Sequence, residues 1–371
     1  MLAPANFTFQ AVRETFIIDK AYLYLEGKLK EATAVTTSDL EHFRTILVER
    51  EDLLNEYLNS LSAERSVETE KVRGLLAEIK GALVRIEDHT FGTCQVCKDE
   101  VEYHRLEVQP VREICLGCIT PEEQAILEEE LLIASRIHRA LLPQKVEAIA
   151  GYEFAARSLA ARSVGGDYYD FLRNEAGAIT KVVIADTMGK GIPAGLLMSN
   201  LQGALRVLAH EIKSPGQLVS KLNWWLCRNV PVNKFISLAC LDLESGPGAA
   251  TLRYANAGHC PILRVSAGGS REYFVSTGAV LGVHEDFRYD ERAVQLDPGD
   301  LLVLYTDGVT EAARADEEMF GDERLAAFCV AHRAEPPDAF LARLISEVQH
   351  FTGKQSFDDD LTVIVLKRKP V

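Results

Sequence analysis

This sequence has no long apolar run and no excess of positive charge, and each absence argues against a class of protein. No stretch approaches the roughly 18 to 20 apolar residues that a membrane-spanning helix needs. The first residues also lack the basic segment followed by an apolar one that marks a secretory leader. We therefore expect a cytoplasmic protein with no membrane association. Because 55 Asp and Glu outnumber 40 Lys and Arg, direct nucleic-acid binding through clustered basic side chains is not expected either.

Disulfide bonds are not expected, although the chain has eight cysteines. Four of them form two C-x2-C pairs, which are Cys94 with Cys97 and Cys115 with Cys118. The others are scattered through apolar segments, where reduced cysteine behaves as a small hydrophobic residue. We interpret these four as buried thiols: Cys227, Cys240, Cys260 and Cys329.

The paired cysteines are separated by about seventeen residues, a spacing typical of a tetrahedral zinc site with four cysteine ligands. Either pair alone could be a redox dithiol. In a reducing compartment two pairs favour one Zn²⁺, and four protein ligands make it structural.

A chain of 371 residues is too long for one ordinary core. Heptad-spaced apolar residues from Leu40 to Leu61, followed by a second apolar pattern from Val72 to Ile86, predict an antiparallel helical hairpin. Thr120, Pro121 and Glu123 then form a strong helix-start signal. We predict four segments: a helical segment of unknown role (1–36), the hairpin with the four-cysteine zinc finger (37–120), a connector helix (121–148) and a catalytic domain (149–371).

After Pro143 the chain consists of β-branched and aromatic runs with helical stretches between them. Antiparallel hairpins with intervening helix pairs indicate an α+β fold of two sheets flanked by helices.

Aspartates lie next to several of these strands. Asp167 and Asp170 lie together in the segment SVGGDYYDF, Asp186 and Asp307 each end a strand, and Asp358, Asp359 and Asp360 directly precede another. An aspartate at a strand end is often only a turn former. Four clusters in one domain instead predict converging carboxylates, whose mutual repulsion divalent cations would relieve. Hard oxygen ligands favour Mg²⁺ or Mn²⁺, and a pair of such ions can activate a water for attack on phosphorus.

Five segments carry a family resemblance, and they occur in order across the second half of the chain: VGGDYYDF, IADTMGKGIPAGLLMS, YANAGHCPIL, LYTDGVTEA and DDDLTVIVL. Together they resemble the signatures of PPM-type protein phosphatases of the SpoIIE/RsbU branch. The resemblance implies a four-layer α/β/β/α sandwich, two Mn²⁺ or Mg²⁺ ions and a phosphoserine or phosphothreonine protein as substrate. An anti-anti-sigma-type protein is the implied substrate class.

The same resemblance implies the metal ligands. Asp186 would bridge both ions, and the Thr187 carbonyl would bind one of them. Asp167 would serve the second ion, while Asp307 and Asp359 would hold the first.

Other residues of these segments could contact the substrate or support the ligands: Asn256, His259, Lys190 and Asp360. For Asn256 and His259 a role in stabilising a turn is the alternative. An exposed, solvated side chain is the alternative for Lys190.

The cysteine segment resembles the zinc finger of the DksA/TraR family, whose members bind RNA polymerase through a helical hairpin. Contact with RNA polymerase is therefore one hypothesis for this module, and a platform for dimerisation or sensing is the other. The connector resembles the helix that leads into SpoIIE/RsbU catalytic domains, and this resemblance predicts a two-state element that controls whether Asp167 reaches its metal.

The leading hypothesis is a metal-dependent protein serine/threonine phosphatase that is regulated by its N-terminal zinc module. The alternative is an RNA-polymerase-associated regulatory protein, and a pseudophosphatase scaffold is a third hypothesis. The heptads also permit a homodimer, although packing within one chain would use the same residues.

Overall fold

The computed structural model describes residues 35–60, 66–144, 148–174, 176–230, 234–243 and 250–369. The predicted N-terminal segment (1–36) lies outside these ranges except for its last two residues, and so does the stretch that joins the hairpin helices (61–65). The chain divides into two compact units, Met1–Glu128 and Glu129–Val371. In the described ranges no helix has the length and apolarity to cross a bilayer, and the cytoplasmic location stays a prediction.

The first unit contains the predicted antiparallel hairpin, formed by helix α1 (Thr37–Ser60) and helix α2 (Ser66–Glu87). Two ion pairs fix the direction of packing. Arg44 lies 3.8 Å from Glu87 near one end, and Glu51 lies 3.7 Å from Lys80 one to two turns further along. The apolar residues that face each other form one core: Phe43, Leu47, Leu54, Tyr57, Val72, Leu76, Ile79 and Ile86.

The cysteine segment packs at the base of this hairpin. Phe43 of α1 lies against two aromatic rings of that segment, with ring centroids 5.2 Å from Phe91 and 5.8 Å from Tyr103. A short helix, α3 (Tyr103–Val108), stands between the two cysteine pairs and buries Leu106 in the same core. One small hydrophobic core therefore serves both the hairpin and the cysteine loops.

Helix α4 (Pro121–Leu141) begins where the sequence predicts. The Glu123 amide donates to the Thr120 hydroxyl over 3.1 Å, and the Thr120 amide donates to the Glu123 carboxylate over 3.2 Å. This reciprocal pair is the predicted capping box. The boundary between the two units falls within this helix, after Glu128.

The second unit is built on two five-stranded antiparallel sheets. The first has the strand order β1-β10-β9-β6-β7 and the second the order β2-β3-β4-β5-β8. The strands are β1 (Tyr152–Leu159), β2 (Tyr168–Arg173), β3 (Ile179–Thr187), β4 (Ile236–Leu243), β5 (Ala250–Ala257), β6 (Ile262–Val265), β7 (Arg271–Phe274), β8 (Arg292–Leu296), β9 (Leu301–Tyr305) and β10 (Leu361–Arg368).

Helices cover the outer face of each sheet. The second sheet packs against α5 (Ile192–Glu211) and α6 (Pro215–Asn229). The first packs against α8 (Gly321–His332) and α9 (Pro337–Thr352), and a single turn, α7 (Asp307–Thr310), follows β9. A separate apolar cluster fills the space between the sheets. Three apolar layers thus give the predicted four-layer α/β/β/α sandwich.

Two sequence expectations differ from the structure. Strand β2 begins within the segment VGGDYYDF and continues to Arg173, and the glycines and aspartates of that segment masked the strand pattern. The scattered cysteines are not all buried, because Cys240 and Cys329 are enclosed whereas Cys227 and Cys260 are partly exposed. None of the four is paired in a disulfide.

Candidate metal centres

The four paired cysteines form one compact cluster. Their sulfur atoms all lie within 4.8 Å of one another, and the Cys97 and Cys115 sulfurs are 3.5 Å apart. The Cys115 amide points at the Cys94 sulfur over 3.4 Å. Backbone amide donors, first that of Cys115, lower the pKa of the Cys94 thiol to about 6. Cys94 therefore readily forms a thiolate, which is the form that binds zinc, whereas the pKa of Cys97 is raised to about 12 and that of Cys118 is also raised.

The sequence folds locally into this geometry because the first cysteine pair sits on a tight turn. The Cys94 amide donates to the Asp99 carbonyl over 2.7 Å, and the Lys98 amide donates back to the Cys94 carbonyl over 3.0 Å. Lys98 closes the turn with a φ of 67°. The Gln95 amide then donates to the Glu113 carbonyl over 2.8 Å, which ties this turn to the second pair.

The carboxylate centre lies at one end of the sandwich, and the alternation of side chains along each strand decides which aspartates face it. In β3, Val182 and Ile184 point into the layer between the sheets, so Asp186 points the same way. In β2, Tyr169 and Phe171 face that layer, and so does Asp167 just before the strand.

Asp170 was grouped with Asp167 in the sequence but lies on the other face of β2. It is buried on the helix side, where the Tyr168 hydroxyl donates to it over 2.6 Å and the Arg206 guanidinium of α5 over 2.8 Å. An odd separation of three residues on one strand requires opposite faces. This aspartate is a structural ion-pair partner and does not face the carboxylate centre.

Asp167 is held between the sheets by threonines of the first sheet. It is 2 % exposed, and the Thr306 hydroxyl donates to its carboxylate over 2.8 Å. Thr306 in turn accepts the Thr362 amide over 2.9 Å. Both threonines thereby link the end of β9, the start of β10 and the loop before β2.

Asp360 fixes that loop without facing solvent. Its carboxylate accepts the Ala161 amide over 2.8 Å and the Gly166 amide over 2.6 Å. A side chain at Gly165 would begin 2.8 Å from this carboxylate. One at Gly166 would begin 2.7 Å from the Thr187 hydroxyl and 2.9 Å from the Thr187 carbonyl oxygen. The two glycines therefore allow the loop to approach both Asp360 and Thr187.

The acidic side chains are close enough to perturb one another. Burial, then the charge of Asp186, raises the pKa of Asp167 well above its usual range. Burial, then Asp307 and Asp359, raises the pKa of Asp186 to about 7. The pKa of Asp307 is also raised, by burial and by Glu311 and Asp359. Five carboxyl groups, those of Asp167, Asp186, Asp307, Asp359 and Glu311, thus converge on one region.

Lys190 and Asp359 form an ion pair at the open side of this region. The Lys190 ammonium lies 2.8 Å from the Asp359 carboxylate and 3.0 Å from the Asp358 carbonyl oxygen. The Lys190 side chain is 41 % exposed, so it is partly solvated as well as ion-paired. Asp358 is exposed and pairs with Lys354 over 2.5 Å.

Asn256 and His259 lie beneath the centre. Asn256 is fully buried, accepts the His259 amide over 2.8 Å and donates to the carbonyls of His259 and Cys260. Its side chain is thus engaged in its own turn. His259 Nδ1 lies 2.7 Å from the hydroxyl of Ser237, the residue paired with Asp186 across β3 and β4. Burial lowers the pKa of His259 to about 4, which keeps the imidazole neutral.

Sequence reasoning did not select four residues that contribute here: Thr306, Thr362, Ser237 and Glu311. Thr306 directly precedes Asp307, and Thr362 lies two residues after Asp360, so their positions beside aspartates on the same strand ends were a usable signal. Glu311 lies four residues after Asp307 in the segment LYTDGVTEA, and helix α7 brings the two carboxylates close together. Ser237 had no such signal, because only the sheet register places it opposite Asp186.

The carboxylate region suits hard divalent cations. Its donors are carboxylate and carbonyl oxygens. Burial first, and neighbouring carboxylates second, raise the pKa values of Asp167, Asp186 and Asp307, and divalent charge would favour the ionised form of all three. Within the described part of the chain, only the cysteine set has its ligand atoms within 4.8 Å of one another. The carboxylates are spread more widely than the cysteine sulfurs.

Comparison with known proteins gives two matches along the chain. Residues 177–369 match the family model of stage II sporulation protein E (SpoIIE). Residues 89–124 match the model of the prokaryotic DksA/TraR C4-type zinc finger.

Individual relatives follow the same division. Phosphoserine phosphatase RsbU of Bacillus subtilis is 30 % identical over 247 residues, which cover 66 % of this chain and 72 % of RsbU. Protein IcfG of Synechocystis is 27 % identical over 64 % of this chain and 41 % of its own length. The RNA polymerase-binding transcription factor DksA of Escherichia coli is 35 % identical over 54 residues, 15 % of this chain and 36 % of DksA.

Among solved structures, the SiaA-PP2C domain of Pseudomonas aeruginosa aligns with a TM-score of 0.58 and 20 % identity. The alignment covers 67 % of this chain and 99 % of that domain. At this identity the likeness shows a shared fold.

Proposed function

The chain belongs to the SpoIIE family of PPM-type serine/threonine protein phosphatases, and we propose that it dephosphorylates a signalling phosphoprotein with two Mn²⁺ or Mg²⁺ ions. A bound pair of such ions would supply a water of lowered pKa and would neutralise charge that develops on the phosphoryl group. The substrate would be a phosphoserine or phosphothreonine protein, as the name of RsbU suggests for that relative. An anti-anti-sigma-type protein is our specific proposal.

The residues would divide this work by position. Asp186 stands between Asp167 and the pair Asp307 and Asp359 in its electrostatic couplings, which supports the bridging role. The Thr187 carbonyl follows it directly and would add one neutral oxygen ligand. Asp167 would be oriented by the Thr306 hydroxyl, and the bond between that hydroxyl and its carboxylate would fix which oxygen faces an ion.

One observation carries the proposal. Carboxylates from four separate chain segments meet at one end of the sandwich, and burial together with their proximity raises the pKa of Asp186 to about 7. Such repulsion is costly in a folded protein unless cations are bound, and perturbed carboxylates in a cluster are a common mark of a functional site.

The test is Mn²⁺-dependent hydrolysis of p-nitrophenyl phosphate by the full chain. We expect Asp186→Asn to lower kcat/KM by about 10³-fold or more, the scale of losing central electrostatic stabilisation. The matched control is Asp358→Asn, which changes an exposed neighbour of the ligand Asp359 and should keep activity within about threefold. Full activity in Asp186→Asn would reject the assignment.

We also propose that helix α4 regulates the centre through the loop that carries Asp167. His138 of α4 is 6 % exposed, and its ring lies 3.7 Å from where a side chain at Gly195 would start. The Gly165 main chain and the Asp360 charge both act on the pKa of His138, although burial dominates and lowers it. The Leu141 carbonyl accepts the Gln202 side chain of α5 over 2.9 Å. A shift of α4 would therefore displace the Gly165 loop.

The zinc module is proposed to hold one structural Zn²⁺ and to convey a signal to α4. RNA polymerase is the second candidate partner, and the similarity to DksA over residues that include the cysteines favours it. Co-purification of polymerase with the full chain, and its loss on Cys94→Ser, would support that function. Because the chain spans only 36 % of DksA, the alternative of a dimerisation or sensing platform is retained, and a homodimer would be seen by light scattering.

A further inference from the structure

Three large apolar side chains lie exposed beside the carboxylate centre. Met188 is 40 % exposed, Phe235 is 40 % exposed and Val283 is 64 % exposed. We refer to these three residues as the apolar rim. Single exposed apolar residues are common, but a group of them next to a reactive centre is typical of a recognition surface.

The main chain places the three residues side by side. Thr187 pairs with Ile236 at the ends of β3 and β4, and the next amide, that of Met188, donates to the Phe235 carbonyl over 3.1 Å. Ile236 exchanges two hydrogen bonds with Leu281, of 2.8 and 3.1 Å.

This second pairing brings the segment of Val283 alongside. A side chain at Gly282 would start 2.9 Å from the Lys234 carbonyl oxygen and 3.7 Å from the Phe235 α-carbon. The rim therefore continues across three adjacent chain segments, beyond the end of β3 and before the start of β4, with Phe235 in the middle.

The rim is continuous with the proposed catalytic centre. Met188 directly follows Thr187 and lies two residues from Asp186, the proposed bridging ligand. A phosphoserine that reaches this centre must place its neighbouring residues over the surrounding surface. The rim is one side of that surface, so its chemistry bears on which phosphoproteins fit.

A second surface beside the centre has different chemistry. There, a cavity of about 110 Å³ is lined by residues that include Lys190, Lys354, Asp358 and Asp359. The two lysines are already paired with the two aspartates, over 2.8 Å and 2.5 Å. An ion held by Asp359 would release Lys190, but Lys354 and Asp358 would stay paired, so this surface offers little net attraction for an acidic sequence. The apolar rim, in contrast, offers exposed apolar area that a bound peptide could cover.

We propose that the apolar rim selects the substrate, and that it fits a phosphoserine flanked by apolar side chains. This inference rests on the proposed phosphatase function and specifies the substrate class of the same centre. Burial of apolar area on both partners would supply the affinity, while the carboxylate centre would contact only the phosphate group. Selection would then be independent of the chemical step.

The experiment compares two kinds of substrate with the full chain and Mn²⁺. The first is p-nitrophenyl phosphate, which is too small to span from the centre across the rim. The second is a set of three phosphoserine peptides of equal length, whose two residues on each side of phosphoserine are leucine, serine or aspartate. We expect kcat/KM for the leucine peptide to exceed that for the serine peptide by about tenfold, the scale of burying a few apolar groups.

Two rim variants test the surface directly. Phe235→Ser and Val283→Ser should each reduce the preference for the leucine peptide by about threefold or more, with p-nitrophenyl phosphate hydrolysis unchanged. Val283 is the more exposed of the two, so its replacement should preserve folding. The matched control is Val207→Ser. Val207 is 67 % exposed and lies about 22 Å along α5 from Ile192, the end of the helix that follows Met188 in the chain, at 1.5 Å per residue.

The outcomes separate the two proposals. Absence of hydrolysis of every substrate would reject the phosphatase function. If p-nitrophenyl phosphate is hydrolysed, any of three results would overturn the rim proposal alone. These are equal rates on the three peptides, a preference for the aspartate peptide, or no cleavage of the leucine peptide. An unchanged leucine preference in both rim variants would overturn it as well.

Discussion

The two candidate metal centres of this protein are assembled in opposite ways. The cysteine cluster comes from one short stretch, residues 94–118, and its turns are closed by local hydrogen bonds. The carboxylate centre draws on residues from 167 to 360 and exists only because two sheets stack. Soft thiolates suit Zn²⁺ and a structural role, whereas oxygen ligands suit exchangeable hard ions. Zn²⁺ at the cysteine centre would therefore stabilise the hairpin unit. At the carboxylate centre, the fold of the catalytic unit would position the ligands.

The largest expected effect tests the structural role of the cysteine centre. Cys94→Ser should abolish zinc binding and unfold the hairpin unit, because structural Zn²⁺ contributes about 10 kcal/mol or more in comparable small modules. Metal analysis should fall from one zinc per chain to none, and helical circular dichroism should fall with it. Cys227→Ser, a partly exposed cysteine outside the cluster, is the control. A fully folded hairpin without zinc would remove the contrast between the centres.

The next effect concerns the cost of assembling carboxylates. The pKa of Asp186 is raised from 3.8 to about 7, so the folded state retains a proton that the unfolded state releases. The free energy of unfolding of the metal-free protein should therefore fall as pH rises from about 4 to 7 and then level off. At pH 8 Asp186→Asn should stabilise the metal-free catalytic unit by up to about 4 kcal/mol, as seen by thermal unfolding.

That gain should shrink towards pH 4 and reverse when Mn²⁺ is added, because only the wild-type carboxylate binds the ion. Asp358→Asn serves as the exposed control and should show no such dependence. If Asp186→Asn destabilised the metal-free protein at pH 8, the centre would not be strained by its own charges.

A smaller effect should follow from removing support beneath the ligands. Asp360 accepts two main-chain amides of the loop that carries Asp167, and an amide side chain can accept only through its single oxygen. Asp360→Asn should weaken Mn²⁺ binding by about 10- to 100-fold, the usual consequence of losing a residue that orients ligands. Isothermal titration measures this directly. An unchanged affinity would mean that the loop is fixed by other contacts.

The smallest effect concerns the ion pair at the open side. Lys190 lies 2.8 Å from the Asp359 carboxylate and would compete with a divalent ion for it. Lys190→Gln should therefore tighten Mn²⁺ binding by about two- to fivefold, within the range of a half-exposed ion pair. Lys354→Gln, which removes the neighbouring pair with Asp358, should leave the affinity unchanged. Weaker binding in Lys190→Gln would contradict competition and would favour a role in positioning.

Much of this fold was predictable from residue patterns. The capping box at Thr120 and Glu123 identified the start of α4. The heptads identified the first hairpin helix, and the second apolar pattern identified the other. The strand from Leu361 to Arg368 was recognisable from its run of β-branched residues alone. Strand β2 was missed because glycine and aspartate disfavour strands, and there tertiary pairing with β3 outweighs propensity.

The sequence alone determined the ligand chemistry of both centres: sulfur donors at zinc spacing, and aspartates beside apolar strands. Spacing was sufficient for the cysteines because their turns are local. For the aspartates, only the stacked sheets decided that Asp167 faces Asp186 while Asp170 faces Arg206. Side-chain alternation gives each strand two faces, and which face becomes interior depends on partners far away in the chain. The apolar rim is likewise a product of strand pairing, since Met188, Phe235 and Val283 are neighbours only after folding.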